Sequence, residues 1–292
     1  MLSSLLFSLL FETIEPSYGT FAAVMPPAVV VSSPSPKSPF KKGSSMAPML
    51  SAESIYAIDL ETNTPLVVRD IFTRRPIASI EKLVTAMVIL DRHKLDEKVT
   101  VSKNAADQEG SQMGLKSGEE ISMESLLTGM LINSGNDAAV ALAEFDAGTE
   151  EVFVFKMNEK ARSLGLKDTH FSNAKGFDEA ENYSTAYDTM LFSRAALGYS
   201  FIRKTVAIKS LTVTSASGKT KHALENTNEL LENPYWKVTG LKTGRTPGAG
   251  QSFVSLMKGP GDREILTVML DSPNRFKETK ILLDWILRNY EF

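Results

Sequence analysis

The chain of 292 residues contains no cysteine. That excludes disulfides, thiol catalysis and cysteine-ligated metals, and it leaves the compartment open. Histidine is scarce: His93, His170 and His222 are the only three, far apart and without metal-ligand spacing. Their separation argues against a histidine-based serine triad, and no metal or other cofactor is expected. No large excess of charge exists either, since the formal net charge is −3. Nucleic acid is therefore not an expected partner. No apolar run reaches the roughly 20 residues of a membrane-spanning helix. What remains is ordinary for a globular protein, 42% hydrophobic and 23% charged, with length for one large domain or two lobes.

The first 48 residues differ from the rest. Leu2 to Phe11 is an apolar run of the length found in export signals, and Phe21 to Val31 is a second one broken by Pro26-Pro27. No Lys or Arg precedes the first run, so the charged start of a signal peptide is missing. Ser32 to Pro48 holds six Ser and four Pro, which predicts an extended, unpacked linker. Residues 1–48 are thus expected to be an export or anchor segment plus linker, and 49–292 the folded domain.

Ser54–Asp59 reads as a strand, with Pro65–Val68 returning beside it after a turn. From Ile80, the apolar positions Leu83, Val84, Met87 and Val88 form one stripe at helical period. Further helices are predicted over Met123–Ile132, Ala138–Phe145, Val152–Leu164 and Ala186–Leu197. The period then changes. Leu211–Thr214 and Lys219–Ala223 suggest a hairpin; Trp236–Lys242, Gln251–Lys258 and Glu264–Leu270 suggest strands, and Phe276–Tyr290 a closing helix. Strands at both ends with helices between predict an α/β lobe built from both chain ends, with a mainly helical lobe, about 95–205, inserted.

A serine hydroxyl is a poor nucleophile unless a nearby base takes its proton, and a buried lysine can be that base. Ser-x-x-Lys occurs four times, at Ser38/Lys41, Ser79/Lys82, Ser172/Lys175 and Ser255/Lys258. Ser38 lies in the Pro-rich stretch, Ser172 follows a turn, and in the predicted strand Ser255 and Lys258 face opposite ways. Only Ser79/Lys82 opens a strong helix, where residues three apart share a face. The helix start also offers N–H groups to a developing oxyanion. Glu81, about 200° around the helix from Ser79, should point away and is given no catalytic role.

Two more motifs follow in order: Ser134-Gly135-Asn136, between two predicted helices, and Lys242-Thr243-Gly244, the only K-T-G in the chain. S-x-N alone is weak, since Ser102-Lys103-Asn104 and Ser272-Pro273-Asn274 also fit it. The three together follow the order of the signature of penicillin-binding proteins and class A β-lactamases, with Gly135 where the second motif has Asp. From about Ser51 to Phe292 the chain resembles the D-alanyl-D-alanine carboxypeptidases, low-molecular-mass penicillin-binding proteins of serine peptidase family S11. Ala78–Ala86, Leu131–Ala139 and Gly240–Gly244 with Ala249-Gly250 read like its motif blocks, and Asp168–Asn173 and Tyr183–Ala186 like the segments between.

The resemblance implies a β-lactamase/transpeptidase-like α/β fold, an antiparallel sheet flanked by helices. It implies acylation of Ser79 by a peptidoglycan stem peptide ending in D-Ala-D-Ala, with release of D-alanine, and β-lactams as covalent inhibitors. Lys82 would be the base. Ser134 and Asn136 would relay protons and hold the substrate amide. Lys242 and Thr243 of the Lys242-Thr243-Gly244 strand would contact the substrate, including its carboxylate. Ser79 and Arg245 backbone N–H groups would form the oxyanion hole, and Arg275 matches an arginine for the terminal carboxylate. Such an enzyme works outside the cytoplasm, secreted or N-terminally anchored.

Two departures stand out. The family commonly has Thr where this chain has Glu81. The sequence also stops soon after Trp285-Ile-Leu-Arg288, where many members add a β-rich domain and a membrane anchor, so no C-terminal anchor is expected. Alternative readings are a D,D-endopeptidase, which uses the same residues, and a peptidoglycan-binding module without turnover. A β-lactamase needs a water-activating base; Asp178, Glu179 and Glu181 lack the Glu-x-x-Leu-Asn pattern and read as a solvated loop. His170 and Trp236 read as packing residues.

Overall fold

The structure, a computed structural model, describes residues 36–292. The expected export run and the start of the linker lie outside the described residues. Along the chain come β1 (Phe40–Lys41), β2 (Ser54–Asp59), β3 (Pro65–Arg69) and a 3₁₀ turn at Ala78–Glu81 that runs into α1 (Lys82–Leu90). The central stretch holds β4 (Lys98–Thr100), α2 (Lys103–Ala106), β5 (Glu120–Ser122), α3 (Met123–Ile132), α4 (Asn136–Ala147), α5 (Glu150–Ser163), α6 (Ala186–Ala196) and α7 (Ser200–Thr205). Then follow the hairpin β6 (Ser210–Thr214) and β7 (Lys221–Glu225), the strands β8 (Val238–Thr246), β9 (Gly250–Lys258) and β10 (Glu264–Ser272), α8 (Arg275–Asn289) and β11 (Tyr290–Glu291).

The main sheet has the order β3-β2-β10-β9-β8 with every pair antiparallel, so both ends of the chain build it. Side chains alternate between faces along a strand. Ile55 and Ala57 accordingly join Phe253, Met257, Ile265 and Met269 in one core beneath Leu282, Leu283 and Ile286 of α8. Tyr56 and Ile58 face the other core, with Val254, Leu256 and Val268 under the helices. This two-sided burial explains why β2 is buried at every position. Each of the three α8 side chains, fully removed from water, contributes on the order of 2 kcal/mol.

Helix α1 is buried all round rather than on the single expected stripe, because it packs against α3, α4, α5 and α6. Helix starts follow side-chain caps: Thr149 accepts from Val152 N and Thr185 from Asp188 N. The Thr149 cap begins α5 at Glu150, two residues ahead of the expected start.

The Ser/Pro-rich segment departs from expectation. Phe40 and Lys41 pair antiparallel with Glu291 and Tyr290, and Lys42 N donates to Asn289 O at 2.7 Å. Arg263, doubly bonded to buried Asp59 at 3.0 and 2.6 Å, also donates to Lys37 O. This part of the stretch is therefore tethered by backbone pairing rather than free, although its side chains are mostly exposed. Its partners lie more than 220 residues away along the chain, beyond any local composition signal.

Candidate active site

Four pieces of chain meet at Ser79. The first is the 3₁₀ turn, which leaves Ser79 half-buried and runs into the fully buried Lys82. Ala78 adopts φ 50°, a conformation costing a non-glycine residue about 1–3 kcal/mol. Two neighbours hold that turn. A Cβ on Gly244 would lie 2.7 Å from Ile77 O, so β8 can pass this close only with glycine there. A Cβ on Gly176 would lie 2.4 Å from the Ala78 carbonyl and 2.6 Å from Ser79 N, at a φ of +88°.

Replacing Gly176 by alanine is accordingly expected to destabilise the protein by about 3 kcal/mol, since strain and backbone overlap act together. Gly165→Ala is the control, with φ +73° but nothing within 4 Å of its Cβ. It should lose only about 1 kcal/mol. Urea unfolding of the two variants measures the difference; equal losses would mean that the Gly176 contact adds nothing.

The Lys82 amine lies 2.7 Å from Ser79 Oγ and 2.8 Å from Asn136 Oδ1, and it also donates to Lys175 O. Ser79 Oγ is 3.3 Å from the same carbonyl. Lys82 is fully buried. Burial first, and then the Lys175 ammonium, bring it down to about 7 from the usual lysine range, while Glu81 acts in the opposite sense. Much of it is thus a free amine at neutral pH.

The second piece is the α3–α4 loop. Ser134 stands at φ 60°, and Asn136 opens α4. Asp137, buried in the first turn, accepts from the N–H groups of Met113, Gly114 and Leu115 at 2.9–3.0 Å. Asn136 in turn donates to Glu109 O at 2.7 Å, which leaves its Oδ1 facing Lys82. The third piece is β8. Lys242 Nζ donates to Ser134 Oγ at 2.9 Å, and Thr243 Oγ1 is 2.5 Å from Thr227 Oγ1. Burial, then Lys82 and Arg275, hold Lys242 well below its ordinary value. Arg275, at the start of α8, donates to Gly244 O at 2.8 Å. With exposed Arg245 it lines a cleft of about 430 Å³ that also meets Lys277 and Lys280.

The fourth piece, residues 172–182, was not foreseen. Its Lys175 carbonyl meets both Ser79 Oγ and Lys82 Nζ, although Ser172/Lys175 reads in sequence only as a further copy of the motif. A carbonyl carries no signature in sequence. Asp137 and Thr227 likewise escaped notice, though Asp137 sits directly after the second motif, where an acid suits a helix N-terminus. Asp178, Glu179 and Glu181 are exposed as expected, and Asp178 also accepts from Thr246 Oγ1 at 2.5 Å and Gly248 N at 2.8 Å. His170 is exposed rather than packed, its Nδ1 2.6 Å from Glu181 O. Among the described residues no cluster of His, Asp and Glu is arranged to hold a metal ion.

A five-stranded antiparallel sheet flanked by helices, with Ser79 and Lys82 at its edge, is a fold of the β-lactamase/transpeptidase-like class. The crystal structure of the Streptomyces K15 DD-transpeptidase matches with a TM-score of 0.77 and 30% sequence identity, covering 84% of this chain and 100% of that one. The peptidase S11 family, D-alanyl-D-alanine carboxypeptidase, matches residues 41–274, and the chain belongs to it. D-alanyl-D-alanine carboxypeptidase DacF of Bacillus subtilis (strain 168) is 36% identical over 247 residues, 82% of this chain and 63% of that protein. D-alanyl-D-alanine carboxypeptidase DacD of Escherichia coli (strain K12) is 35% identical over 258 residues, 83% of this chain and 65% of that protein. The chain thus spans less than two thirds of the length of these two relatives.

Proposed function

We propose that the chain is a metal-free serine D-alanyl-D-alanine carboxypeptidase acting on peptidoglycan stem peptides. The observation that carries this reading is the 2.7 Å approach of a buried lysine amine, held far below the usual lysine range by burial, to the Ser79 hydroxyl. Ser79 Oγ attacks the carbonyl carbon of the penultimate D-alanine while its proton passes to Lys82 Nζ. The Ser79 and Arg245 N–H groups take up the oxyanion charge. As the C–N bond breaks, the departing nitrogen regains a proton from Lys82 by way of Ser134. Water then cleaves the acyl-enzyme, its hydroxyl going to the acyl carbon and its proton to Ser79.

Asn136 holds the substrate amide and the lysine together. Lys242 holds the Ser134 hydroxyl, and Lys242 and Thr243 meet the substrate from the strand. Arg275, whose Nε has no partner among the described residues, and Arg245 supply positive charge at one end of β8. A C-terminal carboxylate is the group that such a fork fits. Gly244 keeps the strand close enough to the nucleophile for these contacts.

β-Lactams, which present a strained amide in place of the peptide, acylate the same hydroxyl. The substrate places the enzyme outside the cytoplasm; no helix of the described residues is long and apolar enough to cross a membrane. The test uses two substrates, a stem pentapeptide and a cross-linked dimer. Free D-alanine from the pentapeptide, without monomer from the dimer, is the expected result. Monomer without D-alanine would make it an endopeptidase, and neither product a binding module.

A further inference from the structure

Glu81 is fully buried directly before Lys82. Buried carboxyl groups are rare without a role for their hydrogen bonds. Its Oε2 accepts from Asn182 Nδ2 at 2.8 Å, and its Oε1 has no partner among the described residues. Asn182 closes the 172–182 loop: Nδ2 also donates to Phe177 O at 3.0 Å, and Oδ1 accepts from Ser172 N at 3.2 Å. Asn173 wraps the same loop from inside, its Oδ1 accepting from the N–H groups of Gly176 and Phe177 at 2.8 and 3.0 Å. The loop so shaped points the Lys175 carbonyl at Lys82 Nζ and Ser79 Oγ.

We propose that Glu81 is a positioning residue: through Asn182 it ties the nucleophile turn to the loop whose carbonyl holds the lysine amine against the serine hydroxyl. This rests on the reading of Ser79 and Lys82 as the reacting pair. Glu81 touches neither reacting atom; it fixes where the third partner of both stands. Burial pushes its carboxyl up to about 8, against the pull of Asn182 and Lys82, so it is mostly protonated at neutral pH. The other charged groups facing this region are Lys82 itself, the Lys175–Glu150 ion pair at 2.8 Å, and Asp137. A glutamine has the shape and neutrality of the protonated acid and still offers an oxygen to Asn182.

The test is the second-order rate of acylation by a fluorescent penicillin between pH 6 and 9.5, for the wild type, Glu81→Ala, Glu81→Gln, Asn182→Ala and the Glu81→Ala/Asn182→Ala double variant. At pH 7, Glu81→Ala and Asn182→Ala should each be about 10- to 100-fold slow, the range that a displacement near 1 Å produces. The double variant should be no slower than the worse single one, because both break one tie. Glu81→Gln should recover to within about threefold of wild type.

Wild-type rates in both alanine variants would overturn the proposal, as would losses that multiply in the double variant, or a glutamine variant as slow as the alanine one. Should Glu81→Ala not fold, Asn182→Ala and Glu81→Gln carry the test. Amide hydrogen exchange of residues 173–182 gives a readout apart from activity. It should quicken at least tenfold in Asn182→Ala and stay native in Glu81→Gln, and unchanged exchange in both would again overturn the tie. If the wild type itself were not acylated, the reading of Ser79 would fall, and the exchange data would still decide on Glu81.

Discussion

Incubation with labelled penicillin is expected to place one covalent label on the wild-type chain, at Ser79, and none on Ser79→Ala. The other Ser-x-x-Lys serines do not compete. Ser255 is fully buried and its Oγ lies 2.6 Å from Thr267 Oγ1, and among the described residues no lysine amine hydrogen-bonds Ser172 Oγ. Ser38, exposed on the chain entering the fold, has no buried base beside it. The substitution should leave stability within about 1 kcal/mol, since Ser79 Oγ bonds only Lys82 and the Lys175 carbonyl. Loss of label with an unchanged melting curve is therefore a chemical loss. Mass spectrometry of the labelled peptide checks it, and a label persisting on the alanine variant would remove Ser79 from the mechanism.

The second large effect is expected at Lys82. Lys82→Met should slow acylation by about 10²- to 10⁴-fold, the usual contribution of a positioned general base. In the wild type the rate should climb with pH through a limb centred near 7, since a lysine proposed to take the serine proton can do so only as the free amine. The methionine variant should lack that limb. Stability provides an independent check. The lysine's folded value is depressed from 10.5 to about 7, so its contribution is present above pH 10.5 and is lost as pH falls through 7. Relative to wild type, Lys82→Met should thus be more stable at pH 7 than at pH 10.5. A limb retained in the variant would assign the titration to another group.

Much of the site was legible because its chemistry lies in side chains at diagnostic spacing. The helix after Ile80 singled out Ser79 from four copies of its motif, and β8 was expected up to the lysine that now bonds Ser134. What escaped belongs to backbone and to distance. The first turn of the expected helix is a 3₁₀ turn with Ala78 at positive φ, imposed by glycines 98 and 166 positions further along the chain, at Gly176 and Gly244. Glu81 was expected to face away from Ser79 and was given no role; local geometry could not show that Asn182 would meet it 101 residues later. The strand pairing of Phe40–Lys41 was hidden for the same reason, since its partner strand is the last of the chain.

The turn that carries Ser79 is pressed between two glycines, one from the middle of the chain and one near its end. Any fragment that holds the turn together with both of its supports must run at least from residue 77 to residue 244, more than half of the chain. The hydroxyl meets its base in working geometry only once segments from Ala78, Gly176 and Gly244 have all docked. Closing such long loops is slow, and competence belongs to the last stage of folding. A reagent that reacts only with the assembled serine consequently counts finished molecules and passes over every half-folded one.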